Sequence, residues 1–199
     1  MEPITELRGH ALPLAISDVD TDQIIPSDWL KRVERTGFGQ GLFSEWRQDA
    51  GFVLNDQRFS GSTILIAREN FGVGSSREHA VWALMDYGFR VVISPRFGDI
   101  FRNNSLKVGL LPVELTTEEV QRLLDLVTLE PTTQILVDLG SQRVSVPAQE
   151  IEFGFEIDPT AKARLLAGLD EIGITLTKEA AISQYEAQRP RWAPRVGTH

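Results

Sequence analysis

The 199-residue sequence contains no cysteine. That excludes disulfides, thiolate catalysis and an iron–sulfur cluster held by the chain's own sulfurs. Histidine is scarce: His10, His79 and His199 are the only three, too few for a His-rich zinc site, so no metal is expected on this chain. Positive charge is also in deficit, with 20 Lys and Arg against 28 Asp and Glu and a net charge of −8. A polyanion needs a basic face, so nucleic acid is not an expected partner. Of the basic residues four are Lys and sixteen Arg, a bias that suits a planar grip on carboxylates but follows equally from genomic base composition. No apolar run reaches the roughly 18 residues of a membrane helix. The start, Met1-Glu2-Pro3-Ile4-Thr5-Glu6, is acidic and has no apolar stretch of the kind a signal peptide carries. Neither a membrane span nor a secretory signal is expected, and the cytoplasm is the expected location.

What is present is the composition of an ordinary globular protein, 42% hydrophobic and 24% charged. The length allows one core with a small appendage, and no repeat or low-complexity block is visible. Residues 28–60 carry Gly37, Gly39, Gly41 and Gly51 among charges and aromatics without a sustained period, so a long, partly mobile excursion is expected there. Thr63 to Ala67 and Val91 to Ile93 read as buried strands, with a helical pattern from Ser76 to Tyr87 between them, ended by Gly88. This is a βαβ unit and implies parallel pairing. Phe97 to Leu106 reads as a helix and Leu110 to Leu115 as a strand. Thr116-Thr117-Glu118-Glu119 is a capping box opening an amphipathic helix. Gln134 to Asp138 and Gln142 to Val146 resemble a hairpin. Asp158-Pro159 starts another helix, and Thr177 is the expected cap of a last one. The tail from Arg189, with Pro190 and Pro194, has neither helical nor strand logic.

The segment Gly72-Val73-Gly74-Ser75-Ser76-Arg77-Glu78-His79 lies where strand gives way to helix, the end of an α/β sheet at which ligands bind. Two glycines permit a tight turn, the helix start offers N–H groups to an anion, and Arg77 adds bidentate carboxylate geometry. A plainer account competes, since Ser75 with Glu78 fits a capping box. Nucleotide motifs fail on spacing: no Lys follows as in a phosphate-binding loop, and Arg77 stands where a dinucleotide fingerprint needs a third glycine. No G-x-S-x-G elbow is present either. Asp18, Asp20 and Asp22 invite a calcium reading, which fails because Gln23 and Trp29 occupy the required Gly and Glu positions.

Gly74 to Ala80 resembles the most specific motif of the aconitase superfamily's swivelling domain. Asp20-Thr21-Asp22-Gln23-Ile24-Ile25-Pro26 and Ser94-Pro95-Arg96-Phe97-Gly98-Asp99-Ile100-Phe101-Arg102-Asn103-Asn104 resemble two further blocks of it, in the same order. The stand-alone length and Arg35-Thr36-Gly37-Phe38-Gly39 are similar to the bacterial small subunits of 3-isopropylmalate dehydratase within that superfamily. The resemblance implies a three-layer α/β swivelling domain spanning residues 1–199, with a mainly parallel sheet flanked by helices, antiparallel additions around 134–155, and a helical extension with a tail over 156–199.

It also implies an activity, dehydration and rehydration of a small dicarboxylate, interconverting 2- and 3-isopropylmalate in leucine biosynthesis. The 4Fe–4S cluster would be carried by a large partner subunit, none being bound by this chain. By motif position Ser75 would be the base, Thr21 and Asp22 would be catalytic residues at the edge of the active site, with Asp22 orienting a catalytic group of the partner, and Arg77, Ser76 and Gly74 would hold the substrate. Glu78 and His79 would be structural supports. Residues 28–35 occupy the family's substrate-discriminating loop. Leu30 is the candidate for an isopropyl group, while Lys31 and Arg32 would favour a further carboxylate. Two alternatives therefore stay open: a homoaconitase or methylcitrate-type dehydratase small subunit, and a carboxylate-binding module without chemistry.

Overall fold

Residues 1–31, 37–75 and 77–189 of the chain are described by a computed structural model. Strand β1 (Glu6–Leu14) runs through the middle of a seven-stranded sheet, and its two halves have different neighbours. Residues 11–14 pair in parallel with β2 (Ile64–Ala67), followed by β3 (Val91–Ser94) and the edge strand β4 (Leu111–Glu114), all parallel. Residues 6–10 instead pair antiparallel with β5 (Gln134–Asp138), which continues into β6 (Arg143–Val146) and β7 (Ile151–Gly154). The sheet is thus the expected parallel unit joined to the expected antiparallel addition through one shared strand.

β1 was not legible as a strand, because Pro13 lies within it and a proline cannot donate to a ladder. The split explains how it is accommodated. At Pro13 the strand is partnered only by β2, opposite Ile66, because β5 reaches no further than His10. The missing N–H faces a side with no ladder. Pro112 is tolerated for a related reason, since β4 is an edge strand.

The short helix α1 (Thr21–Ile24) follows β1. Helix α2 (Glu78–Tyr87) joins β2 to β3, and α3 (Asp99–Val108) joins β3 to β4. Helix α4 (Thr117–Leu129) buries Val120, Leu123, Leu124 and Val127, one stripe of a 3.6-residue period, against β1, β2 and β3. Its predicted capping box is formed: Thr116 N–H donates to Glu119 Oε2 at 2.8 Å, and Glu119 N–H donates to Thr116 Oγ1 at 3.2 Å. Helix α5 (Pro159–Ala167) opens as expected with Asp158 as its cap. The C-terminal part differs from expectation. An extra helix, α6 (Glu171–Leu176), precedes α7 (Glu179–Ala187), and Thr177 ends α6 rather than capping α7. The tail at 190–199 lies outside the described residues.

Residues 37–60 contain four short 3-10 turns, which explains why no helical or strand period was visible. They nevertheless contribute Phe38, Leu42, Phe43, Leu54 and Phe59 to the core. The turn Phe38–Gly41 lies tight against α2. Gly39 N–H donates to the Asp86 carboxylate at 2.8 Å, and a Cβ on Gly39 would come within 2.8 Å of the Tyr87 nitrogen. His79 is edge-on to Phe38 and Trp82, at 5.3 and 4.8 Å between ring centroids. These ring contacts pack it between the turn and α2.

Candidate functional site

The carboxyl ends of β1, β2 and β3 converge, and the chain keeps pairing beyond them. Asp20 bridges Val73 and Phe71 bridges Phe97, both in parallel. Gly72 N–H donates to Val19 O at 2.7 Å, Thr21 N–H to Val73 O at 2.9 Å, and Gly98 N–H to Phe71 O at 2.9 Å. These bonds lock the loop after β2 between the loops after β1 and β3. Gly72 and Gly74 both have positive φ, +73° and +90°. At Gly72 the buried Phe101 ring also leaves no room, since a Cβ would lie 2.3 Å from it. The glycines seen in the sequence are therefore required by turn and close approach.

Ser75 is exposed at the tip of this loop. Helix α2 starts at Glu78, with extended Arg77 as its N-cap and no side-chain cap hydrogen bond. One expectation is corrected here: Ser75 does not form a capping box with Glu78; the expected helix start at Ser76 lies outside the described residues. Ser75 stands two residues ahead of the cap, and its carbonyl accepts a 2.9 Å hydrogen bond from Thr21 Oγ1. The plainer account of this serine is thereby removed. Whereas α4 has its first N–H groups satisfied by a capping box, the N-cap of α2 is Arg77, whose side chain has no acceptor to offer the positive end of the helix.

Helix α1 supplies the other wall. Buried Thr21 has one hydroxyl proton and gives it to the Ser75 carbonyl. Its oxygen lies 3.5 Å from Ser75 Oγ, where it can only accept. Thr21 thus anchors the backbone of Ser75. Asp22 forms an ion pair with Arg77; the arginine side chain is 20% exposed and that of Asp22 51%. A guanidinium this far out of water needs an anionic partner. Asp22 is itself a carboxylate, the partner that the planar fork of Arg77 suits.

The structure brings Thr21, Asp22, Gly74, Ser75 and Arg77 together. Leu30 and Lys31 lie on a separate 3-10 turn, Ser27–Lys31, where the Lys31 ammonium is held 2.9 Å from Asp28. Ser76 and Arg32 to Thr36 fall outside the described residues. Two further participants were overlooked in the sequence, Asp20 and Gln23. Asp20 accepts from Asp22 N–H at 2.5 Å, and its own N–H donates to Gln23 Oε1 at 2.8 Å. The signal was there, because D-x-x-Q has the spacing of a capping box. Among the described residues no group of three or more acidic or histidine side chains is placed to hold a metal ion. No helix among them is long and apolar enough to cross a membrane.

Residues 1–118 match the family model of the aconitase C-terminal domain, and residues 171–196 match that of the C-terminal domain of 3-isopropylmalate dehydratase small subunits. A 3-isopropylmalate dehydratase small subunit from Parafrankia is 58% identical over 194 residues, covering 98% of each chain. One from Rubrobacter xylanophilus is 57% identical over 196 residues, covering 98% of this chain and all of that one. The chain belongs to the 3-isopropylmalate dehydratase small-subunit family. Similarity in this family extends to distant structures: a solved 3-isopropylmalate dehydratase from Methanocaldococcus jannaschii, 25% identical, matches with a TM-score of 0.68 over 90% of this chain and 99% of that one. Within the small-subunit family frame, Thr21, Asp22, Gly74, Ser75 and Arg77 all fall in the aconitase-type stretch, while α6 and α7 fall in the small-subunit stretch.

Proposed function

We propose that the chain is the small subunit of a 3-isopropylmalate dehydratase. This hydro-lyase interconverts 2- and 3-isopropylmalate in leucine biosynthesis, in the cytoplasm, and works only when assembled with a large subunit. The observation that carries the reading is the docking of Thr21 and Asp22 onto Ser75 and Arg77 at the carboxyl ends of the parallel strands. With no thiolate and no clustered metal ligands among the described residues, this chain does not fit a 4Fe–4S cluster. The cluster belongs to the large subunit, where it would supply a Lewis acid for the leaving hydroxyl, and no step on this chain runs through it.

This chain contributes the base and the clamp. Ser75 Oγ, as alkoxide, takes the proton from the carbon beside a carboxylate, a double bond forms, and the hydroxyl leaves the neighbouring carbon. On rehydration the same oxygen returns a proton to carbon. A serine is a weak base at its ordinary pKa, so its anion must be stabilised, and the positive start of α2 and the Arg77 guanidinium are the groups at hand. Arg77, held on one side by Asp22, offers its remaining guanidinium N–H groups to a substrate carboxylate, orienting the reacting carbon. Gly74 and Ser76 line the same loop, and Leu30 and Lys31 belong to the segment that selects the substrate's third substituent.

The test is reconstitution with a cluster-bearing large subunit, with 2-isopropylmalate, homoaconitate and methylcitrate as competing substrates. Turnover of 2-isopropylmalate in preference to the other two is expected. Preference for a tricarboxylate would move the chain to another dehydratase, and binding without turnover by the assembled complex would reduce it to a carboxylate-binding module.

A further inference from the structure

Helix α1 has only four residues, yet it carries Thr21 and Asp22, which meet Ser75 and Arg77. A helix this short does not hold itself, because fixing a first turn costs more than its own hydrogen bonds return. Something else has to set the positions of Thr21 and Asp22. We infer that Asp20 and Gln23, through their reciprocal capping of α1, are positioning residues for Ser75 and Arg77. The inference rests on the proposed function and names the residues that fix that site's geometry.

The bonds converge from two sides. Within α1, Asp20 Oδ1 accepts from Asp22 N–H at 2.5 Å, Gln23 Oε1 accepts from Asp20 N–H at 2.8 Å, and the Asp20 carbonyl accepts from Gln23 and Ile24 N–H at 3.0 and 3.1 Å. Across to the loop, Asp20 bridges Val73, and its carboxylate lies beside Gly74, where a Cβ would come within 3.1 Å of Oδ2. The Asp20 carboxylate is therefore wedged between the helix it caps and the residue preceding Ser75. Asp22 sits one turn position away and meets Arg77, and Thr21 meets Ser75. Rotating α1 by a fraction of a turn would release both contacts at once. Neither Asp20 nor Gln23 is required to touch the substrate; they act through Thr21 and Asp22.

Asn preserves the Oδ1 acceptor of Asp20 and is among the best N-cap residues, whereas Ala removes it. Glu preserves the Oε1 acceptor of Gln23, whereas Met removes it at similar length. Each of Asp20→Ala, Asp20→Asn, Gln23→Met, Gln23→Glu and Ser75→Ala is to be assembled with the large subunit, and kcat, KM and the melting temperature measured. Misplacement on the ångström scale costs up to about a hundredfold in rate. Asp20→Ala and Gln23→Met are expected to lower kcat by about ten- to a hundredfold in complexes that remain assembled, and Asp20→Asn and Gln23→Glu to recover to within about threefold of wild type. Loss of melting temperature in the first pair with kcat per assembled complex unchanged would overturn the inference, as would failure of both conservative variants to rescue. Wild-type turnover in Ser75→Ala would fell the functional reading and this inference with it. A dead Ser75→Ala beside a fully active Asp20→Ala would fell this inference alone.

Discussion

The close approach of Gly98 to the Gly72 carbonyl allows the bracing of the site to be tested without touching a polar group. Gly98 has a φ of −62°, which any residue adopts, so replacing it with alanine adds no backbone strain. The added Cβ would nevertheless lie 2.4 Å from the Gly72 carbonyl oxygen. Carbon–oxygen contacts settle at about 3.3 Å or more, so the two loops must part by about 0.9 Å. That movement pulls apart the bridge between Phe71 and Phe97 and its two hydrogen bonds, Phe71 N–H to Arg96 O and Gly98 N–H to Phe71 O. Two weakened backbone bonds at about 1 kcal/mol each, with overpacking of about 1–3 kcal/mol partly relieved by the same movement, give an expected loss of about 2–4 kcal/mol. Gly98→Ala should show this as a lowered urea midpoint in the free chain. The displacement also reaches Ser75 through Gly72 and Gly74, so the assembled enzyme should lose on the order of tenfold or more in kcat. Gly61→Ala is the control. Its φ is +77° with nothing within 4 Å of an added Cβ, so it should cost about 1–2 kcal/mol of strain and leave kcat unchanged. A Gly98→Ala chain within about 0.5 kcal/mol of wild type, with unaltered turnover, would refute the claim that these loops brace one another.

Thr21→Val keeps the shape of a buried side chain but removes the hydroxyl that donates to the Ser75 carbonyl. A loss of about 1–3 kcal/mol in stability is expected, with kcat about tenfold lower, whereas Thr21→Ser should retain most of both; urea denaturation and the assembled-enzyme rate check the pair. The Asp138 carboxyl is held below its usual range by hydrogen bonds from the side chain and backbone of Ser141. Because the folded-state value is the lower one, the stabilisation is present above about pH 4 and fades as pH falls through the folded value. Asp138→Asn should therefore have a flatter melting-temperature profile on acidification than wild type, and an unchanged slope would contradict this.

The βαβ centre was legible in the sequence because its strands are uniformly apolar and its helices amphipathic, signals that act locally. β1 was hidden, since its first half carries the polar Glu6, Arg8 and His10, and Pro13 is acceptable only because β5 has ended by that point. Residues 37–60 were read as an excursion because aromatic pairs such as Phe43 stacked on Trp46, 5.4 Å apart, bury a chain that has no regular period. At the site, Ser75 and Arg77 stood out through glycine spacing and charge. Which of two local schemes Ser75 follows depended on Thr21, 54 positions away in sequence, and no nearby residue carries that information. The capping of α1 by Asp20 and Gln23 is local and could have been read from its spacing.

The central claim is that Ser75 is the base of a site completed by another subunit. The measurement that tests it most directly is the turnover of 2-isopropylmalate by Ser75→Ala assembled with the cluster-bearing large subunit, with assembly checked by co-purification. The expected result is a complex that forms like wild type and turns over at least about a hundredfold more slowly. A complex of normal composition with a near-wild-type rate would contradict the account.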